Sequence, residues 1–210
     1  MKRVAIFLRK ELKTNRFSDA VLAALNNPDI DEVTICSGFF QEDDSYSVSK
    51  SKFHIRPKCT NILNLKIVGY YGWRQHTAFS QFIANVTAIN CSRCINVSSF
   101  RIPGDKWHAK ICIAKKSGKP VFAAIGSSNI TRRAFDVLKN FNYESDVIFW
   151  DEKDPAINQM VENIIGEAPD EFPSVVVTKY DETHPVNRVP LQDRLLTLEK
   201  EIFSKAVPYP

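Results

Sequence analysis

The stretch Trp107-His108-Ala109-Lys110-Ile111-Cys112-Ile113-Ala114 is the one from which the fold is read. Its apolar and β-branched residues predict a strand from Trp107 to Lys115. Successive strand side chains face opposite sides of a sheet. His108 and Lys110 therefore share one face with Cys112 and Ala114. Ala109, Ile111 and Ile113 share the other, the natural core face. Lys-Ser-Gly-Lys-Pro (116–120) is turn chemistry and leads into a second strand, Val121 to Ile125. Downstream lie a predicted helix over Thr131–Leu138, a strand over Tyr143–Trp150 and a helix over Pro155–Ile165.

Upstream the same reading gives strands at Val4–Leu8, Glu32–Gly38, Asn64–Gly69 and Ile95–Phe100. Helices are expected at Ser18–Asn26, with Ser18 as N-cap, and at Thr77–Ile89. The polar, Ser-rich Glu42–Lys52 reads as an exposed loop. Strands alternating with helices predict an α/β fold, a mixed β-sheet flanked by helices on both faces. Residues 1–168 form the expected main domain. Residues 169–210 form a C-terminal extension, with Val175–Val177 as an edge strand and Leu191–Lys205 as an amphipathic helix. Leu191, Leu195, Leu198 and Ile202 make its apolar stripe, suited to packing on the same domain or to a dimer contact. There is no internal repeat.

The 210 residues are 44% hydrophobic and 25% charged, with a net charge of +4. These are values of a globular chain, mildly basic, which permits a polyanionic partner without requiring one. The longest early apolar run, Val4–Leu8, stops at Arg9 and Lys10 and is short for a signal peptide. Nothing approaches the roughly 20 apolar residues that span a bilayer. The expectation is a cytoplasmic protein without membrane contact. Five cysteines form an odd set that fits a reducing compartment.

Three segments carry chemistry. His108-x-Lys110 sets an imidazole beside an ammonium. Gly126-Ser127-Ser128-Asn129 ends the next strand, and Gly126 allows an unusual backbone angle or a close approach. Asn142-Tyr143-Glu144 opens a further strand. Together these resemble the phospholipase D superfamily, whose signature is His-x-Lys, then Gly-Ser-x-Asn, then Asn-x-Glu. The motif detail covers Lys106 to Phe149. The wording Ser-Ser-Asn-Ile-Thr (127–131) resembles its restriction-type endonucleases, in which the motif is single.

The resemblance implies a phosphodiesterase, here one acting on nucleic acid, DNA before RNA, with no metal and no cofactor. His108 is then the nucleophile, which divides a hard hydrolysis into two easier steps through a phospho-histidine. Lys110, Ser127 and Asn129 would hold the non-bridging oxygens by charge and hydrogen bonds. Glu144 would orient an imidazole. A second histidine must protonate the leaving oxygen. Only one His-x-Lys is present, since His54, His76 and His184 lack the context. The resemblance therefore implies a homodimer that pairs two copies of His108.

One departure stands out. The family pattern often places Asp five residues after the Lys, and here that position is Lys115. By alternation it faces away from His108.

Competing readings belong beside these. Asp146 is a rival to Glu144, or else a solvated strand end. Ser128 is a rival to Ser127. Arg132, Arg133 and Lys106 suit flanking phosphates, or simply a charged helix start. Tyr70, Tyr71 and Trp73 suit base stacking or, in preference, core filling. Cys91-x-x-Cys94 is half of a zinc pattern without a second half, so reduced, partly buried thiols are expected.

Overall fold

The computed structural model describes residues 2–8, 15–55, 61–69, 72, 75–104, 107–137, 139–166 and 175–210. The strands are β1 (Lys2–Leu8), β2 (Glu32–Cys36), β3 (Glu42–Asp43), β4 (Tyr46–Ser47), β5 (Leu63–Val68), β6 (Ile95–Arg101), β7 (Ile111–Lys116), β8 (Lys119–Gly126), β9 (Ser145–Asp151), β10 (Val175–Lys179) and β11 (Val207–Pro208). The helices are α1 (Arg16–Asn26), α2 (Val48–Lys52), α3 (His76–Ile89), α4 (Arg132–Phe135), α5 (Pro155–Ile165) and α6 (Leu191–Lys205).

Nine strands form one mixed sheet in the order β10-β1-β9-β8-β7-β2-β5-β6-β11. The β2–β5 and β5–β6 pairs are parallel and the others antiparallel. β7 thus lies in the interior of the sheet, between β2 and β8.

Both sheet faces are covered, as expected for this fold class. On one face α1, α2, α3 and α5 bury residues such as Val21, Leu25, Val48, Phe79, Phe82 and Ile157 in the larger core. On the other face α6 lays Leu191, Leu195 and Ile202 over Ile111, Ile113 and Ala123. Each such side chain contributes about 1.5–3 kcal/mol when fully buried. The apolar stripe of α6 is therefore packed on its own chain. Cys112 and Ala114 belong to the larger core, and Ile111 and Ile113 to the smaller one. A strand buried on both sides has no single core face.

Three local expectations are corrected. Glu42–Lys52 is a hairpin and a helical turn with Val48 and Ser49 fully buried, not an exposed loop. Its polar residues serve the turn: Glu42 accepts from Ser49 N–H at 2.7 Å, and Ser47 caps α2. The N-cap of α1 is Asn15, which accepts from Ser18 N–H at 3.2 Å. The helix expected over Thr131–Leu138 is a single turn, α4, and Leu138 lies outside the described residues. Among the described residues no helix is long and apolar enough to cross a membrane.

Candidate active site

The strand predicted from Trp107 begins only at Ile111, so His108 and Lys110 stand just before it. Lys110 C=O accepts from Gly126 N–H at 3.2 Å, and Ile111 pairs with Ile125. Beyond that link the backbone runs close to Gly38. A Cβ there would lie 3.0 Å from Trp107 O and 3.1 Å from the His108 ring. Phe39 meets the imidazole edge-on at 5.6 Å between centroids.

The imidazole and the ammonium are together, although strand alternation is not what joins them. Lys110 curls back on its neighbour. Its Nζ lies 2.8 Å from His108 Nδ1, 2.9 Å from His108 Nε2 and 2.9 Å from His108 O. Lys110 is only 8% exposed, and its stem borders an apolar cavity lined in part by Phe17, Cys112 and Phe135. Burial pulls the ammonium's pKa down, while the charge of Glu144 works the other way. The imidazole's pKa is lowered too, first by desolvation and then by Lys110's charge. The lowered imidazole pKa favours the neutral ring that a nucleophile requires.

The other two segments meet at this same sheet end, next to the Lys110–Gly126 link. Ser127 N–H donates to Ser145 O at 3.2 Å, and Ser145 N–H donates to Ser127 Oγ at 3.0 Å. Ser127 Oγ in turn donates to Glu144 Oε2. Asn142 Nδ2 donates to Glu144 Oε1 at 3.1 Å. Asn129 closes the turn, its C=O accepting from Thr131 N–H at 2.9 Å. Its Oδ1 is buried with no hydrogen-bond partner.

Asp146 is not a solvated strand end. It is 2% exposed and accepts from Ser128 N–H at 3.0 Å and Ser128 Oγ at 2.6 Å. The reason lies across the ladder, where Gly126 opposes Asp146. A Cβ on Gly126 would sit 2.0 Å from Asp146 Oδ1. The carboxylate fills the space of the missing side chain. Gly126 is therefore there for a close approach, since its φ is not positive. Burial raises the Asp146 carboxyl's pKa; hydrogen bonds from Ser128 oppose that rise and Glu144's charge adds to it.

Other candidates lie elsewhere. Arg132 is exposed, with its guanidinium 5.1 Å from the Tyr46 ring centre. Arg133 is exposed, and Lys106, Tyr70, Tyr71 and Trp73 fall outside the described residues. Cys112, although beside the motif, is buried, which pushes its thiol up to about 12. Cys94 is disulfide-bonded, which corrects the expectation of reduced thiols there. Cys91 is free and exposed, with Sγ 3.0 Å from Cys94 Sγ. Among the described residues no group of three or more His, Cys, Asp or Glu side chains is placed to hold a metal ion. His76 Nε2 bonds Tyr209 Oη at 2.9 Å, and His184 Nδ1 accepts from Val186 N–H at 3.2 Å.

Lys115 points to the α6 side. It pairs with Glu32 at 2.5 Å and with Glu199 of α6, and Thr34 Oγ1 donates to Glu199 at 2.6 Å. Glu199, Phe39 and Gly38 were not singled out in the sequence. Each is far from the motif in the chain, and no local pattern marks it.

A family model described as the NgoFVII restriction endonuclease N-terminal PLD domain matches residues 15–168. No curated protein sequence matches the chain. Among solved structures, NucT from Helicobacter pylori is 12% identical with a TM-score of 0.49, covering 100% of both chains. Phosphatidylserine synthase of Haemophilus influenzae Rd KW20 is 12% identical with a TM-score of 0.47, over 98% of this chain and 46% of that one. Yeast tyrosyl-DNA phosphodiesterase is 11% identical with a TM-score of 0.37, over 70% and 31%. The family match spans well over half of the sequence and contains all three motif segments, and on it this chain belongs to the phospholipase D-type family of the NgoFVII restriction endonuclease N-terminal domain.

Proposed function

We propose that the chain is a metal-independent phosphodiesterase, a nuclease acting through a phospho-histidine on DNA or RNA, with DNA the favoured assignment. The observation that carries this reading is the Lys110 ammonium held on the His108 imidazole, at the sheet end where Ser127, Asn129 and Glu144 converge. Lys110 would neutralise the non-bridging oxygens, with Ser127 and Asn129 as hydrogen-bond donors. Arg132 would grip a neighbouring phosphate. A His108 ring nitrogen attacks phosphorus, the P–N bond forms, and the P–O bond to the leaving alkoxide breaks. A second imidazole gives that oxygen its proton, then takes one from the water that cleaves the P–N bond. Glu144 would fix the tautomer of an imidazole.

The second imidazole is assigned to His108 of another copy in a homodimer. Family membership supports nucleic acid as the substrate class. Residues 1–168 would be the catalytic part and 169–210 an extension bracing it. Lys115, the departure from the family pattern, is engaged with Glu32 and Glu199, away from the imidazole.

Plasmid and single-stranded DNA cleavage in EDTA tests the reading. His108→Ala should lose about 10³-fold or more in rate while staying folded. Equal rates for variant and wild type reject a His108 nucleophile. If sites are shared, excess His108→Ala mixed and refolded with wild type should poison activity. Additive activities reject the shared site.

A further inference from the structure

Asp146 belongs to no segment of the motif, yet it is the most buried carboxylate at this sheet end. It is 2% exposed, directly opposite Gly126, and it accepts both the N–H and the Oγ–H of Ser128. Ser128 is itself 5% exposed, so its hydroxyl points inward while that of Ser127 points to Glu144. Two adjacent serines thus take different partners, the exposed Ser127 bonding Glu144 and the buried Ser128 bonding Asp146.

We propose that Asp146 is a positioning residue: by holding both donors of Ser128, it sets the Gly126–Asn129 turn so that Ser127 and Asn129 present their polar groups to the scissile phosphate. This deepens, and rests on, the phosphodiesterase reading. A turn just past a strand end has few ladder bonds of its own, so its shape depends on such side-chain clasps. The alternative anchor would be water, but the space beside Gly126 is filled by the carboxylate itself. Because the clasp needs acceptors in a fixed place, Asn can stand in for Asp. Its Oδ1 accepts the Ser128 N–H, and the Ser128 hydroxyl accepts from its Nδ2.

The test uses the full chain with bis(p-nitrophenyl) phosphate, a small diester that needs no polymer contacts. Asp146→Ala should lower kcat about tenfold or more with KM within about twofold, and Ser128→Ala about three- to tenfold. Asp146→Asn should remain within about threefold of wild type. The double variant Ser128→Ala/Asp146→Ala should be no slower than Asp146→Ala alone. If Asp146→Ala does not fold, the contrast between Ser128→Ala and Asp146→Asn still decides. Loss in Asp146→Asn equal to that in Asp146→Ala, full kcat in both alanine variants, or a loss confined to KM overturns the proposal.

Inorganic phosphate titrated against the Ser127 and Ser128 amide NMR signals reads the turn without turnover. Binding that weakens about tenfold in Asp146→Ala but not in Asp146→Asn supports the clasp even if the wild type hydrolyses nothing, which would sink only the enzymatic reading. Absence of any phosphate response at these amides in the wild type sinks the clasp's purpose.

Discussion

Lys110 and Lys115 bracket β7 and are almost equally buried, at 8% and 7% exposure, yet their environments are opposite. Lys115 is raised above the usual lysine range: burial lowers it, but hydrogen bonds and charge from Glu199 and Glu32 prevail. Lys110 is lowered, with no carboxylate in salt-bridge range among the described residues and only Glu144's charge opposing burial. Two carboxylate partners, one of them buried, make a cation structural. A buried cation clasped to an imidazole and a carbonyl, with no carboxylate in reach among the described residues, keeps attraction to spare for an anion. The same residue type thus serves as brace within β7 and, on the proposed reading, as phosphate ligand just before it.

The largest effect that sharpens this contrast is on rate. Lys110→Met should cost about 10²-fold or more in kcat, with little change in thermal stability. The same variant removes a cause of His108's lowered pKa. The acid limb of the rate profile, set by protonation of the nucleophile, should therefore move up toward the ordinary histidine value of about 6.5. An unmoved limb would show that Lys110 does not act on the imidazole.

Lys115→Met should behave in reverse. It takes the ammonium partner from Glu199, leaves Glu32 with Lys66, and should cost about 3 kcal/mol of stability, while specific activity per folded molecule holds. Lys115→Met/Glu199→Met should recover part of that loss, because an apolar pair leaves no buried charge unpaired. Urea unfolding of the three proteins checks both statements. A double variant less stable than Lys115→Met would break the assignment of Lys115 as a brace.

The smallest effect is on acid stability. Burial pushes the Glu32 carboxyl up, but hydrogen bonds from Lys115 and Lys66 outweigh it and hold it below its usual range. A lowered carboxyl contributes stability that is present above its unfolded pKa and lost as pH falls through its folded pKa. The raised Lys115 contributes below about 10.4 and loses its part only above that. The brace should hold across the neutral range and loosen in acid. Unfolding free energies of wild type and Glu32→Gln, measured in urea from pH 7 to pH 3, should converge by about 1 kcal/mol at the acid end. Parallel curves would remove Glu32 from the account.

Much of the fold is legible in the chain because it rests on periodicity. α5 and α6 lie where their apolar spacing places them, at Pro155–Ile165 and Leu191–Lys205. The sheet strands differ from expectation mainly at their ends. The exception is the segment from Trp107 to Lys110, which lies before β7: Lys110 C=O still accepts from Gly126 N–H, while Trp107 and His108 run against Gly38. Glu42–Lys52 reads as a loop because its serines and acids satisfy one another locally, and only their partners reveal a folded hairpin and turn.

The three motif segments are written in residue identity, and so is the family, because phosphate chemistry needs particular functional groups in order. What position alone cannot encode is which of two neighbours turns inward. Ser127 and Ser128, Glu144 and Asp146, Lys110 and Lys115 are near-equivalent as letters. Packing separates them, since a polar group taken out of water must find its partners nearby, and those partners come from strands and helices distant in the chain.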